Sequence, residues 1–446
     1  MSRLFGTDGV RGIAGQTPLD ERTIERLGAA LVRALPHPGR PLRLVAGRDT
    51  RESGPWIERA LARGVHSQGA TLTSAGVIPT PAVAYISRAL GFDAGLVISA
   101  SHNPFQDNGI KVFSGRGEKF SEKLEREIEA IVDEDSWQVD PGTEPEIEPC
   151  DFTDRYIAHA REALPDAAPL GKVRIALDLA NGATTSVAPK VFRGYGFDVT
   201  ITGDRADGRN INLECGSTHP DRLRRIVRDG GHRLGVAFDG DGDRAIFVDA
   251  DGRIVDGDAV LLMCASQMQT SGALPGNAIV ATVMSNIGLE LALKQRGIGM
   301  VRCAVGDKYV MEEMLQRGIG LGGEQSGHII FLDHLFTGDG IVTALRVLRV
   351  MAETGRELAD LASDLKTFPQ VLVNVRVREK RELGELPPVA GAVRQVERSL
   401  EGQGRLLVRY SGTEPLLRIM IEGRDQHEIQ AWAQQIADAV RREIGA

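Results

Sequence analysis

Residues 42–67, LRLVAGRDTRESGPWIERALARGVHS, decide the fold class. The run LRLVA (42–46) is short and apolar, and Gly47 with Arg48 closes it, which predicts a buried strand. From Pro55 the texture changes: Trp56, Ile57, Ala60, Leu61 and Val65 recur at helical spacing. The next apolar run, AGLVISA (94–100), is again strand-like and is broken by SHNP. Strand, helix and strand in that order predict a parallel-type sheet covered by helices.

The alternation continues outward. Strands are expected at 173–180, 198–201 and 234–238, with a helix at 183–193. From about Asp256 a third stretch predicts helices at 259–269, 288–295, 309–316 and 340–353. Its strands are 278–283 and one around Gly318 that leads into GGEQSGH. Beyond Thr367, alternating runs at 371–377, 406–409 and 416–421 precede an amphipathic helix at 427–443, the texture of a small α+β domain. The acidic segment 135–149, with three prolines, reads as a linker. The expected fold is therefore α/β: three similar mixed-sheet α/β domains (1–150, 151–254, 255–367) and a C-terminal α+β domain (368–446).

Composition bounds the function. The 446 residues carry 53 Lys plus Arg against 61 Asp plus Glu, a net charge of −8, which argues against a nucleic-acid surface and against an anionic membrane. Aromatics are only 5%, too few for a base-stacking platform. Glycine is the excess, 52 residues, gathered at strand ends where backbone turns or approaches a ligand. The four cysteines (150, 215, 264, 303) have neither metal-site nor disulfide spacing. With no run of membrane-span length and no signal-like N-terminus, a reduced, cytoplasmic protein is expected.

Five segments carry chemistry. In DGDGDR (239–244), three carboxylates follow a strand at alternate positions. On a straight strand they would stand ~7 Å apart, so Gly240 and Gly242 must curl the backbone for Asp239, Asp241 and Asp243 to share one ion. Three carboxylate oxygens suit a hard divalent cation such as Mg²⁺. Unliganded, they are expected to repel one another, so that removing one stabilises the metal-free protein. An EF-hand is excluded, since Arg244 and Ala250 occupy the positions that need Gly and Glu. SASHNP (99–104) offers Ser101 as nucleophile or phosphoryl carrier, without the GxSxG elbow of a serine hydrolase. RYSGTEPLLR (409–418) combines two hydroxyls, an open backbone and flanking arginines, the groups a phosphate dianion needs. GGEQSGH (322–328) brackets an acid, an amide, a hydroxyl and an imidazole suited to sugar hydroxyls. FGTDGVRG (5–12) places Thr7 and Arg11 in a glycine-rich loop, and Gly306-Asp-Lys308 offers a further ammonium.

Together, and in this order, the five segments resemble the α-D-phosphohexomutase superfamily. FGTDGVRG, GGEQSGH and the SGTEP form of the last loop are more similar to its glucosamine branch than to its phosphomannomutase/phosphoglucomutase branch. Tyr410 departs from the usual pattern. The resemblance implies four domains around a central cleft in a heart-shaped monomer that can pair as a homodimer. It implies a phosphotransferase that interconverts glucosamine 6-phosphate and glucosamine 1-phosphate through a phosphoserine and a glucosamine 1,6-bisphosphate. Carried over, Ser101 is the phosphoserine, and Asp239, Asp241 and Asp243 bind Mg²⁺ with a phosphoserine oxygen. Glu324 and Ser326 contact the sugar, and Thr7, His102 and Arg244 lie beside the substrate. Arg409, Ser411, Gly412, Thr413 and Arg418 hold its non-reacting phosphate. Arg11, Lys111, Lys308 and His328 lie in the cleft, among them the candidate acid/base groups. A haloacid-dehalogenase-type phosphatase fits poorly, because Asp243 stands where that motif has Thr or Val.

Overall fold

The computed structural model describes residues 4–6, 8–36, 39–134, 136–139, 145–400, 402, 404–411 and 415–446. They form two compact units, Met1–Met284 with Arg296–Asp364, and Ser285–Gln295 with Leu365–Ala446. No helix among them is long and apolar enough to cross a membrane.

The first unit holds three sheets built on one plan. The first runs Val10–Ile13, Asp107–Ser114, Ala94–Ile98, Arg43–Arg48, Thr71–Val77, Glu148–Pro149. The second runs Ile254–Val255, Ala245–Asp249, Leu234–Phe238, Arg174–Asp178, Asp198–Thr202, and the third Gly299–Cys303, Ala278–Thr282, Leu321–Gly323, Ile329–Phe331. In each, parallel strands form the centre and one antiparallel hairpin runs off it. The central strands Ala94–Ile98 and Leu234–Phe238 are buried at every position, which explains their unbroken apolar runs. Helices cover the sheets. Glu21–Ala34, capped by the Asp20 carboxylate on the Thr23 N–H, crosses Gly54–Ser67 so tightly that a Cβ at Gly64 would lie 2.0 Å from the Glu25 carbonyl oxygen.

Three expectations need adjustment. The acidic linker ends as the edge strand Glu148–Pro149, beside Thr73–Ser74. Residues 183–193 form a 3₁₀ turn, Ala183–Ser186, and then a short α-helix, Ala188–Arg193, because Pro189 has no N–H to continue the first turn's bonding. Gly318 is the left-handed cap of Asp307–Arg317, with φ 65°, and the strand begins only at Leu321.

The second unit is α+β. Its antiparallel sheet runs Gln370–Arg376, Leu416–Glu422, Arg405–Tyr410. The helices Pro387–Leu400 and Gln426–Ile444 supply the rest of its core. Helix Ile287–Gln295 also belongs here: Asn286 and the Ile287 N–H bind the buried Glu422 carboxylate, and Gly288 sits where a Cβ would meet the Lys366 carbonyl at 2.1 Å.

Candidate active site

Three of the five segments occupy the same structural position. SASHNP joins Ala94–Ile98 to Asp107–Ser114, DGDGDR joins Leu234–Phe238 to Ala245–Asp249, and EQSGH joins Leu321–Gly323 to Ile329–Phe331. Each is the turn from a central parallel strand into its antiparallel neighbour. A strand end is where backbone leaves the ladder and side chains can converge, so the repeated plan supplies the first unit with three candidate functional turns.

The first two turns meet. The Ser101 hydroxyl is buried and donates to Asp239 Oδ2 at 2.6 Å. Ser101 has φ 53°, a left-handed conformation costly for a residue with a Cβ. Gly242, at φ 74°, makes the curl in the aspartate turn. The ligand oxygens of Asp239, Asp241 and Asp243 all lie within 4.8 Å of one another, and all three residues are buried. Asp241 Oδ1 and Asp243 Oδ1 have no hydrogen-bond partner. A buried, all-oxygen group with unsatisfied lone pairs fits a hard metal ion.

Charge in the site is strongly coupled. Lys111 Nζ reaches Asp241 Oδ2 at 2.8 Å and Asp243 Oδ2 at 2.9 Å. Burial opposes the Lys111 charge, but Asp241, Asp243 and Asp8 outweigh it and hold the ammonium well above its ordinary range. Burial also works against Asp243, yet Lys111, His328 and Arg244 keep that carboxyl below its ordinary range. Asp239 goes the other way: burial first, then Asp243 and Asp241, raises it well above the ordinary value. Arg244 donates its N–H to Asp239 Oδ1 at 3.1 Å, and its guanidinium lies 3.2 Å from His102 Nδ1. Burial, then Arg244 and Arg11, lowers His102 to about 4, so it is a neutral imidazole at pH 7.

A cleft of about 440 Å³ opens in front of this group, lined in part by Asp8, Arg11, His102, Asp243, Arg244, Asp307, Glu324 and His328. Lys119 bridges Asp8 and Asp307. His328 Nε2 stands 3.4 Å from Asp307 Oδ2. Glu324 accepts from the Gly306 N–H at 3.1 Å, while the exposed Ser326 hydroxyl lies 3.5 Å from the Glu324 carboxylate.

In the second unit Arg409 and Arg418 are directly opposite each other on neighbouring antiparallel strands. Like charges in that register repel, an arrangement that an anion between them would relieve. Arg418 Nη2 lies 3.5 Å from the buried Ser411 hydroxyl. Gly412 and Thr413, like Thr7, lie outside the described residues.

Comparison with known proteins now bears on this geometry. Four family descriptions match in order: phosphoglucomutase/phosphomannomutase alpha/beta/alpha domain I over residues 2–139, domain II over 154–252, domain III over 256–368, and the C-terminal domain over 372–439. The chain belongs to the phosphoglucomutase/phosphomannomutase family. Among its relatives, a phosphoglucosamine mutase of Koribacter versatilis is 49% identical, covering 99% of this chain and 97% of that protein. One of Solibacter usitatus is 48% identical, covering 99% of each. The fold matches a phosphoglucomutase/phosphomannomutase family protein of Burkholderia thailandensis with TM-score 0.80 at 22% identity, covering all of both chains. It also matches an N-acetylphosphoglucosamine mutase of Aspergillus fumigatus, solved with GlcNAc-6P and magnesium, with TM-score 0.68 at 19% identity over 98% of this chain and 95% of that one. A family of this kind implies a metal ion, and among the described residues the aspartate group fits one.

Within this family member, Ser101, the three aspartates and Lys111 form one buried cluster, His102 and Arg244 join it at the mouth of the cleft, and Arg11, Glu324 and His328 line the cleft beside them. Lys308 does not join them. Its ammonium is buried against Glu125 at 2.7 Å, and its neighbour Asp307 lines the cleft instead. The two residues open a helix, where consecutive side chains diverge by about 100°. Asp8, Lys119 and Asp307 escaped the sequence reading. The signal for two of them was present, since Asp8 sits inside FGTDGVRG and Asp307 inside GDK.

A second cluster of ligating groups, His159, Glu162 and His334, lies elsewhere in the first unit. The two imidazoles are stacked, centroids 3.9 Å apart at 18°, with Tyr85 stacked on His159 at 4.0 Å. Nearly parallel rings aim their in-plane lone pairs along parallel sheets, so they do not converge on one ion. This is a packing stack of neutral rings: burial lowers His159 to about 4 and His334 to about 3.

Proposed function

We propose that the chain interconverts glucosamine 6-phosphate and glucosamine 1-phosphate, with Ser101 as phosphoryl carrier and glucosamine 1,6-bisphosphate as intermediate. The observation that carries this reading is the Ser101 hydroxyl 2.6 Å from Asp239, inside a buried group of three aspartates. The full-length similarity to phosphoglucosamine mutases supports the choice of sugar.

In the first half-reaction O1 of the sugar attacks phosphorus on Ser101. The O1–P bond forms, the Oγ–P bond breaks, the O1 proton passes to a base, and Ser101 Oγ takes one up. The bisphosphate then turns around, and its 6-phosphate returns to Ser101. Asp239, Asp241 and Asp243, with an oxygen of the phosphorylated serine, would hold one Mg²⁺, which neutralises the transferring group when bound. We assign the base to His328, which lines the cleft with Asp307 beside its Nε2. Lys111, held protonated by Asp241, Asp243 and Asp8, is an electrostatic partner of the phosphate. Arg11, ion-paired to Asp8, and Arg244 present guanidinium groups to the cleft. Arg409, Ser411 and Arg418, with Gly412 and Thr413, take the phosphate that is not reacting. Glu324 and Ser326 face the sugar, Glu324 supplying negative charge toward a C2 ammonium. We assign the enzyme to the cytoplasm, where the buried free thiols of Cys215, Cys264 and Cys303 stay reduced.

The test is kcat/KM for glucosamine 6-phosphate, glucose 6-phosphate and mannose 6-phosphate. Preference for the amino sugar is expected. Preference for glucose or mannose phosphate overturns the sugar assignment and leaves the Ser101 chemistry standing.

A further inference from the structure

Ser101 is held from two sides. Arg51, fully buried, donates from Nη2 to the carbonyl oxygens of Ser101 at 3.2 Å and Asn103 at 2.6 Å. Asn212 reaches the same two oxygens, Nδ2 lying 2.9 Å from Ser101 O and 3.1 Å from Asn103 O. Arg51 comes from the loop after Arg43–Arg48 in the first sheet. Asn212 comes from the loop after Asp198–Thr202 in the second. Neither touches the Ser101 hydroxyl. Asp49 orients Arg51 and also receives the Ser99 hydroxyl at 2.5 Å, and Ser99 Oγ in turn accepts the Ser101 N–H at 3.0 Å. The aspartate turn is built against this clamp: a Cβ at Gly240 would lie 2.5 Å from Ser101 O and 2.9 Å from Asn212 Nδ2.

Four donor contacts on two carbonyls is far more than a surface turn needs. The turn carries Ser101 at φ 53°, a conformation costly for a residue with a Cβ, which persists only when the surroundings over-determine it. We infer that Asn212, together with Arg51, is a positioning residue that fixes the Ser101 backbone so that its hydroxyl meets every incoming phosphoryl group at one place. The inference rests on the proposed phosphoserine reading. In that reading the sugar leaves contact and turns between half-reactions, so the carrier is the part that must not move. A shift of about 1 Å at the reacting atom can cost ~100-fold in rate. The slack has a particular consequence. A misplaced Ser101 accepts the returning phosphate slowly, and the bisphosphate escapes into solution.

Asn212→Gly is the cleanest variant. Asn212 has φ 58°, so glycine removes the two hydrogen bonds without backbone strain. Asn212→Asp keeps the shape but sets a carboxylate against two carbonyl oxygens. The control is Asn277→Gly, at φ 45° in the same unit, whose amide bonds Gly297 O and neither the Ser101 turn nor the loop that carries Asn212. For Asn212→Gly we expect kcat to fall ~10–100-fold with KM within twofold, and bisphosphate released per turnover to rise about as much. Asn212→Asp should be worse. Asn277→Gly should match wild type in both. Hydrogen exchange at the amides of 101–103, measured on the same proteins, should speed up only in the Asn212 variants. Wild-type kcat and wild-type release in Asn212→Gly would overturn the inference, as would unchanged exchange at 101–103. If wild type itself turns over no hexose phosphate, the functional reading fails, and the exchange data still decide the clamp.

Discussion

The two units treat charge in opposite ways. The first buries it: Asp49, Arg51, Lys111, Asp239, Asp241, Asp243, Lys308, His328 and Asp339 are all below a tenth exposed. The second, among its described residues, buries one charged group, Glu422, matched by Arg405 at 2.9 Å. Arg409 and Arg418 sit half-buried on a sheet face. The proposed function gives each a different task. A carrier serine that exchanges a phosphoryl group must be fixed, and low-dielectric surroundings strengthen the ionic contacts that fix it. A grip on the other phosphate must accept either end of a turning sugar, which half-exposed, paired cations allow.

The largest effect that can break this contrast is Ser101→Ala. Activity should fall by ~10⁴-fold or more, while thermal unfolding stays near wild type, because the Ser101 N–H keeps its bond to Ser99 Oγ. Retained turnover would remove the reason for burying the first site. Next come the aspartates. Asp241→Asn should cost at least ~100-fold in activity, part of it recovered by excess metal, as metal titration will show. The structure also narrows the expectation that losing one of the three stabilises the metal-free protein. Lys111 already compensates Asp241 and Asp243, so the repulsion falls on Asp239, whose carboxyl is the one pushed up. Metal-free Tm at pH 7 should therefore rise for Asp239→Asn and fall for Asp241→Asn, and the reverse order would refute the charge assignment.

In the second unit, Arg409→Ala and Arg418→Ala should each raise KM ~10–100-fold, the worth of one charged hydrogen-bonded contact, with kcat changed less. A loss confined to kcat would mean that this face acts on the reacting group. The last test is of acid stability. His159 and His334 are held at about 4 and about 3, below the ordinary 6.5. A depressed histidine stabilises fully above 6.5 and loses that stability as pH falls toward its folded value, at ~1.4 kcal/mol per unit per group. Hydrogen exchange between pH 7 and pH 4 should show the first unit losing protection before the second. Simultaneous loss in both would erase the contrast on this point.

What the sequence revealed, and what it hid, divides along the same line. The Ser101, aspartate and GGEQSGH turns were legible because each interrupts a buried apolar strand with polar and glycine residues, a break no packing argument explains. The α/β texture was legible from LRLVA and AGLVISA for the same reason. Arg51 and Asn212 were not, since an arginine and an asparagine in polar loops look like solvated surface until chain folding sets both on the Ser101 carbonyl. Lys308 misled because an ammonium in a glycine-flanked loop reads as a phosphate ligand, and only the fold sets it against Glu125. The helix break at Val187 was visible in Pro189, but apolar spacing outweighed it.

The most direct test of the account is the state of Ser101 itself. The protein is incubated with Mg²⁺ and a hexose 1,6-bisphosphate, digested, and its peptides weighed. It is then exposed to glucosamine 6-phosphate and weighed again. The account predicts one phosphoryl group on the peptide containing Ser101, discharged by the sugar phosphate with formation of the bisphosphate. Turnover of glucosamine 6-phosphate by protein that never carries phosphate at Ser101 would contradict it.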